Sequence, residues 1–109
     1  MGKFDNFSTK KMLEFTALIT KVCSGYSLEQ QRREVSEFYD IMKNTSNRSL
    51  LFYQRLNRFF TDLYAVAAVL YGRDQITEED LFWLDDFRCY IKSKEEEMKR
   101  KIFSRTKLK

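Results

Sequence analysis

The sequence predicts a small all-α bundle of four helices, and three observations carry that prediction. Proline is absent and glycine occurs only three times in 109 residues, so the two strongest helix breakers are nearly missing. Apolar residues recur at helical spacing in four separate stretches. Polar start and stop residues bound those stretches at most of their ends. An apolar content of 43%, with 16% aromatic, supplies the core of one domain of this length.

Ser8 is placed to cap a first helix over 9–23, whose inner stripe is Met12, Phe15, Ile19 and Val22. "CSGYS" breaks it, with Gly25 suited to the left-handed position after a helix. Ser27 and Gln30 form a capping box for a second helix over 28–43. Its apolar face reads Leu28, Val35, Phe38, Tyr39 and Met42, and "EQQRRE" (Glu29 to Glu34) reads as its solvent side. The polar turn "NTSN" (Asn44 to Asn47) leads to a long third helix over 48–71, striped by Leu56, Phe59, Phe60, Leu63, Ala67 and Leu70. Its last third, "AVAAVLY", is apolar almost all round, which predicts burial at the centre of the bundle. Gly72 stops that helix, Arg73 and Asp74 fill the turn, and Ile76 tucks inward. Thr77 caps the fourth helix, with Glu78, Glu79 and Asp80 where the helix dipole favours negative charge and Asp80 answering Thr77. That helix is expected over 78–92, with Leu81, Leu84, Phe87 and Ile91 inward and Trp83 and Tyr90 on an adjoining face. "KSKEEEMKRK" (Lys92 to Lys101) is open to reading as a charged extension. The resulting division is a flexible N-terminus at 1–8, a helical domain at 9–95 and a basic C-terminal tail at 96–109.

The formal net charge is +4, but its distribution says more. Lys99, Arg100, Lys101, Arg105, Lys107 and Lys109 crowd the last stretch, which from Met98 onward holds no acid, leaving about −2 for the remainder. Such a tail attracts phosphates by counterion release, or is simply a solvated helix end. The chain has no histidine, which removes Ser-His triads and histidine acid–base catalysis. Cys23 and Cys89 are the only cysteines, too few for a zinc site, and each fits a buried small hydrophobe on a helix. Neither a phosphate-cradling loop nor a dinucleotide fingerprint occurs. Pairs such as Asp85–Asp86 and Glu95–Glu97 fall in surface patterns. The expectation is a protein that is not an enzyme and has no cofactor and no metal. The longest apolar run, Leu63 to Tyr71, is far too short to cross a bilayer, and no signal peptide is recognisable. An intracellular location, cytoplasmic or nuclear, is the default for such a chain.

Arg48, Arg55 and Arg58 cluster near the start of the third helix, where a cation opposes the helix dipole. That suits contact with an anion; solvated arginines, or pairs with Asp40 or Glu37, are the ordinary alternative. Phe52, Tyr53, Phe82, Trp83 and Tyr90 together exceed what one small core hides, which marks Phe82, Trp83 and Tyr90 as candidate interface residues.

Taken in order, several pieces resemble the helical lid of AAA+ ATPases, above all that of minichromosome maintenance (MCM) helicases and their MoxR-like relatives. They are Leu13 to Ile19, Ser27 to Glu29, Phe38-Tyr39 with Met42, Arg48 or Arg55, and Arg73 to Asp80 ("RDQITEED"). The likeness spans residues 10–92. It implies a lid fold, and an arginine opening the long helix that touches nucleotide phosphates, in MCM rings at a neighbouring subunit's site. Counting back from "ITEED" places that arginine at Arg55; the local pattern "TSNRSL" places it at Arg48. No Walker motif is present, so the resemblance implies a lid-like module without an ATPase core. Three functions stay open: a non-catalytic module bound to a AAA+ ATPase or DNA-processing complex, a histone-like DNA-binding protein using its basic tail, and a helical adaptor or homo-oligomer, viral or mobile-element encoded.

Overall fold

In the computed structural model, residues 9–44, 49–73 and 76–107 are described, with side chains as far as Ser104 at the last helix's end. Four helices and no strand occur among them: α1 (Thr9–Val22), α2 (Leu28–Asn44), α3 (Leu50–Leu70) and α4 (Glu78–Lys107). The N-terminal stretch, the Ser8 cap, Arg48, Asp74 and Lys109 lie outside the described residues.

The helix boundaries follow local chemistry. Ser27 Oγ accepts from Gln30 N–H at 3.2 Å and Gln30 Oε1 accepts from Ser27 N–H at 3.3 Å, closing the capping box that starts α2. Ser49 caps α3 by accepting from Phe52 N–H at 3.1 Å. Thr77 and Asp80 exchange two bonds of 3.1 Å at the start of α4. Gly72, at φ 81°, takes the left-handed conformation that ends α3. Gly25, by contrast, is not left-handed. The chain leaves α1 through ordinary turns in which Ser24 and Tyr26 N–H donate to Lys21 and Cys23 carbonyls, so the free carbonyls find partners without a glycine conformation.

One phenylalanine from each helix meets at the centre. Phe15, Phe38, Phe60 and Phe87 are all fully buried. The Phe15 ring lies 5.5 Å from Phe38, 5.5 Å from Phe60 and 4.7 Å from Phe87, tilted or edge-on to each. These are the offsets that aromatic quadrupoles favour. Ile19, Val22, Ile41, Leu56, Leu63, Leu84 and Ile91 complete the core.

α3 and α4 run antiparallel: Asn57 meets Glu95, Phe60 meets Phe87, and Tyr64 meets Arg88. This pairing accounts for the length of α4. Rather than ending near Lys92, the helix continues to Lys107 as one rod of about 45 Å at 1.5 Å per residue. Glu95 is buried, donated to by Asn57 Nδ2 at 3.1 Å and Lys99 Nζ at 3.0 Å, and Met98 packs on the core beyond it. Residues 96–107 are thus helical in continuity with the domain.

Five expectations about facing change. Cys89, expected as a buried small hydrophobe like Cys23, is exposed on the outer side of α4. Phe52 and Tyr53 are buried, so they are core rather than surplus aromatics. Leu28 is 70% exposed because α2 turns Phe38 and Ile41 inward, a direction well away from its first residue. Gln31 and Glu34 of the "EQQRRE" run are half-buried for the same reason. In the "AVAAVLY" segment only Ala67 is buried; Ala65, Ala68 and Val69 face outward. The other helices leave one side of α3 open, and alanine is a strong helix former whose methyl exposes little apolar surface.

Replacing Phe60 by Ala should destabilise the chain by about 3–5 kcal/mol, since the central cluster cannot collapse around the void. Phe82→Ala, on the outer side of α4, should shift stability by no more than about 0.5 kcal/mol. Urea titration followed by circular dichroism checks both; a small effect at Phe60 would refute the central role of the quartet.

Candidate functional site

Two concave regions bear chemistry. The first is a cleft of about 430 Å³ between the turn after α1, the outer edge of α2 and the middle of α3. Glu34 and Glu37 come from one side at i,i+3 spacing. Arg55, Arg58 and Asp62 come from the other, with Cys23, Tyr26 and Phe59 at the floor and rim. Of the arginines that the sequence singled out, the structure brings Arg55 and Arg58 here; Arg48 lies outside the described residues. Arg55 Nη2 donates to Asp40 Oδ2 at 2.9 Å, an exposed pair between α2 and α3.

Three carboxylates face two guanidiniums in this cleft, and the charges are unevenly matched. Burial pushes the Glu34 carboxyl above its ordinary range, and the neighbouring Glu37 and Asp62 push it further, against a smaller opposing pull from Arg33. Burial, with Glu34 alongside, pushes the Cys23 thiol up to about 11, so it stays protonated and inert near neutrality. A polyphosphate entering here would meet more negative than positive charge. In the sequence the cleft is hidden because Glu34 falls in a run, "EQQRRE", that reads as the solvent side of α2. The signal was present in Glu34 and Glu37 sharing a face with Phe38 and Ile41.

The second region lies where α1 meets the start of α4. A groove of about 490 Å³ has Ala17, Leu18 and Trp83 as its apolar floor, with Glu14, Lys21, Glu79 and Asp80 around it. Lys21 Nζ donates to Asp80 Oδ2 at 2.6 Å, tying the two helices. Burial alone would raise the Asp80 pKa. The bonds from Lys21 and from the Thr77 N–H and hydroxyl, together with the Lys21 charge, outweigh it and hold the carboxyl below its usual range. With Lys21 matched to Asp80 and Glu14 3.8 Å from Lys11, Glu79 is the rim carboxylate outside those two pairs. Alongside, sharing Glu79 and Trp83, is a hollow of about 470 Å³ that includes Phe82, Asp85, Asp86 and Cys89.

The three candidate interface aromatics separate here. Phe82 is 68% exposed. Trp83 is half-buried, its ring 4.8 Å from Phe15, and Tyr90 is half-buried, its ring 6.3 Å from Phe87, so both are largely structural. Arg88 lies over the Tyr64 ring at 4.6 Å and donates to Asp85 at 2.7 Å. Its Nε is buried with no hydrogen-bond partner, a cost that the ring face beneath the guanidinium offsets.

The basic end of α4 is partly neutralised from within its own helix. Lys99 pairs with Glu95 at 3.0 Å and lies 4.0 Å from Glu96, and Lys101 pairs with Glu97 at 3.4 Å. The hydrogen bond to Glu95 and its charge raise the Lys99 pKa. Arg100 is exposed. Arg105 and Lys107 fall where only the backbone is described, and Lys109 lies outside the described residues. Among the described residues no group of acids and cysteines is arranged to hold a metal ion, and no helix is long and apolar enough to cross a membrane. Compared with known proteins, the chain matches no family model, no curated protein and no solved structure.

Two titration outcomes follow from these environments. Glu34→Gln should raise the melting temperature at neutral pH, because a carboxyl with a raised native pKa costs stability above that pKa. The gain should fade as pH falls through the native pKa into the ordinary glutamate range, where both states bind the proton. Lys21→Met should lower stability by at most about 1 kcal/mol at neutral pH and move the Asp80 titration upward in NMR. That loss should vanish in acid, since the benefit of a depressed carboxyl pKa is itself lost as pH falls through it.

Proposed function

We propose that this chain is a non-catalytic helical docking module of a AAA+ ATPase or related DNA-processing assembly. The observation that carries the docking role is the α1–α4 groove. It combines an apolar floor at Ala17, Leu18 and Trp83 with a carboxylate rim at Glu79 and at Glu14, the latter 3.8 Å from Lys11. It fits a partner segment that is apolar on one side and basic at its edges. The class of partner comes from the ordered resemblance to the AAA+ lid, and within that reading Arg55 is the candidate for contact with a nucleotide held by the partner. Its pairing with Asp40 would then have to open on docking, and the partner would have to offset the surplus of carboxylates at Glu34, Glu37 and Asp62.

Two observations favour docking over a nucleic-acid role for the same chain. Lys99 and Lys101 each sit beside a glutamate one turn earlier, which weakens the field that a phosphate backbone would meet. The groove, in contrast, exposes apolar surface that a partner can cover.

The test uses an MCM-type ring. Ala17→Arg fills the groove from an exposed helix position and should leave the melting temperature within a few degrees. It should weaken co-sedimentation with the ring by about tenfold or more. Arg55→Ala should leave co-sedimentation intact and change the ATPase rate of the ring. Equal co-sedimentation of wild type and Ala17→Arg would refute docking through this groove, and an unchanged rate with Arg55→Ala would remove the nucleotide contact.

A further inference from the structure

α4 has a second seam, on the side away from α3. Its inward face carries Leu84, Phe87, Ile91, Glu95 and Met98. The opposite face carries Phe82, Asp86, Cys89, Ser93, Glu96, Arg100 and Phe103, and every one of these is exposed. Their spacing alternates four and three residues without a break, which keeps them on one stripe for nearly the whole helix. Large rings stand at both ends of the outer stripe, Phe82 at 68% and Phe103 at 66% exposed.

The stripe is complementary to itself when reversed. Laid antiparallel with Ser93 over its own copy, Phe82 faces the partner's Phe103 and Asp86 faces the partner's Arg100. Cys89 faces the partner's Glu96. The two-fold axis falls on Ser93, a small side chain that lets two helices approach. In a parallel arrangement Asp86 would face Asp86, Glu96 would face Glu96 and Arg100 would face Arg100. Like charges at every charged step disfavour that arrangement. The acidic start and basic end of α4 add to the preference, because antiparallel pairing sets Asp85 and Asp86 against the Arg100–Lys101 end. Two helix dipoles side by side also attract when they run antiparallel.

We propose that the outer face of α4 pairs with the same face of a second copy of this chain, antiparallel, about a two-fold axis at Ser93. The contact is isologous: each ring end of one copy meets the other ring end of its partner, so the assembly closes at two and leaves no free seam. The α1–α4 groove is not part of the seam. The dimer therefore does not depend on what docks in that groove.

Light scattering on the full chain over a roughly hundredfold concentration range should show a concentration-dependent dimer. Phe82→Glu and Phe103→Glu should each weaken it by about tenfold or more, with helix content by circular dichroism unchanged. Asp86→Arg and Arg100→Asp should each weaken it, and the double variant should restore it. In a Cys89→Ser background, Ser93→Cys should oxidise to a covalent dimer much faster than Ser24→Cys, whose position lies in the turn after α1. A chain that stays monomeric across the range overturns the proposal. So does self-cross-linking of Phe82→Cys as fast as Ser93→Cys, which would mark a parallel pair, or a double charge variant that fails to restore the dimer. Ala17→Arg should leave dimerisation untouched, so loss of the dimer with ring binding kept refutes this pairing alone, and the reverse refutes groove docking alone.

Discussion

The structure depends on the meeting of four rings. Phe15, Phe38, Phe60 and Phe87 come from four different helices, and Phe15 touches the other three. Each ring is fully buried. Because interiors are packed to crystal density, the position of one ring restricts the others, and each helix can roll only a little about its own axis. The restriction reaches the surface. Rolling α1 to seat Phe15 sets Lys21 against Asp80 and Ala17 in the floor of a groove. Rolling α4 to seat Phe87 turns Phe82 outward. The surfaces that could recognise a partner are therefore consequences of the core rather than independent patches.

Most of the fold was legible because local and global signals agree. The capping boxes at Ser27 and Thr77, the left-handed Gly72 and the stripes through Phe15, Phe60 and Phe87 each say the same thing at different ranges, which is what a well-determined sequence does. Legibility failed where a local pattern had two physical meanings. The run "AVAAVLY" reads equally as a buried centre and as a helix-forming edge rich in small residues; only the placement of neighbouring helices decides. The stretch Lys92 to Lys101 reads as a charged, solvent-exposed extension of the helix expected over 78–92. Yet Ile91 and Met98 are seven residues apart on the inward line, and a buried Glu95 between them is balanced by Asn57 and Lys99. A charged residue on a core line was the misleading element.

The candidate sites were less legible than the fold, and the reason is electrostatic. Sequence shows which charges exist but not which are already matched. Arg55 reads as a free cation near a helix start; in space Asp40 is 2.9 Å away. The basic end reads as unopposed from Met98 onward, but on a helix the effective neighbours are the residues three and four positions back, and those are Glu95, Glu96 and Glu97. Conversely, the Glu34 cluster looked solvated and is instead crowded by like charge. Trp83 and Tyr90 read as surplus aromatics because a sequence shows how many rings there are but not how deeply four helices stack them.

The antiparallel pairing of α3 with α4 bears on how the chain acquires its structure. These two helices are consecutive, and the ring pair Phe60–Phe87 closes a loop of 27 residues, whereas Phe15–Phe87 closes one of 72. The entropy of closing the longer loop exceeds that of the shorter by only about 0.9 kcal/mol, because the cost grows with the logarithm of length. Topology of this kind, a local hairpin plus one distant ring, gives a low average separation between contacting residues and belongs with fast-folding helical proteins. The C-terminal half can thus form a scaffold as soon as its own two helices exist, and the amino-terminal helix then needs to bring only one large side chain to the right place.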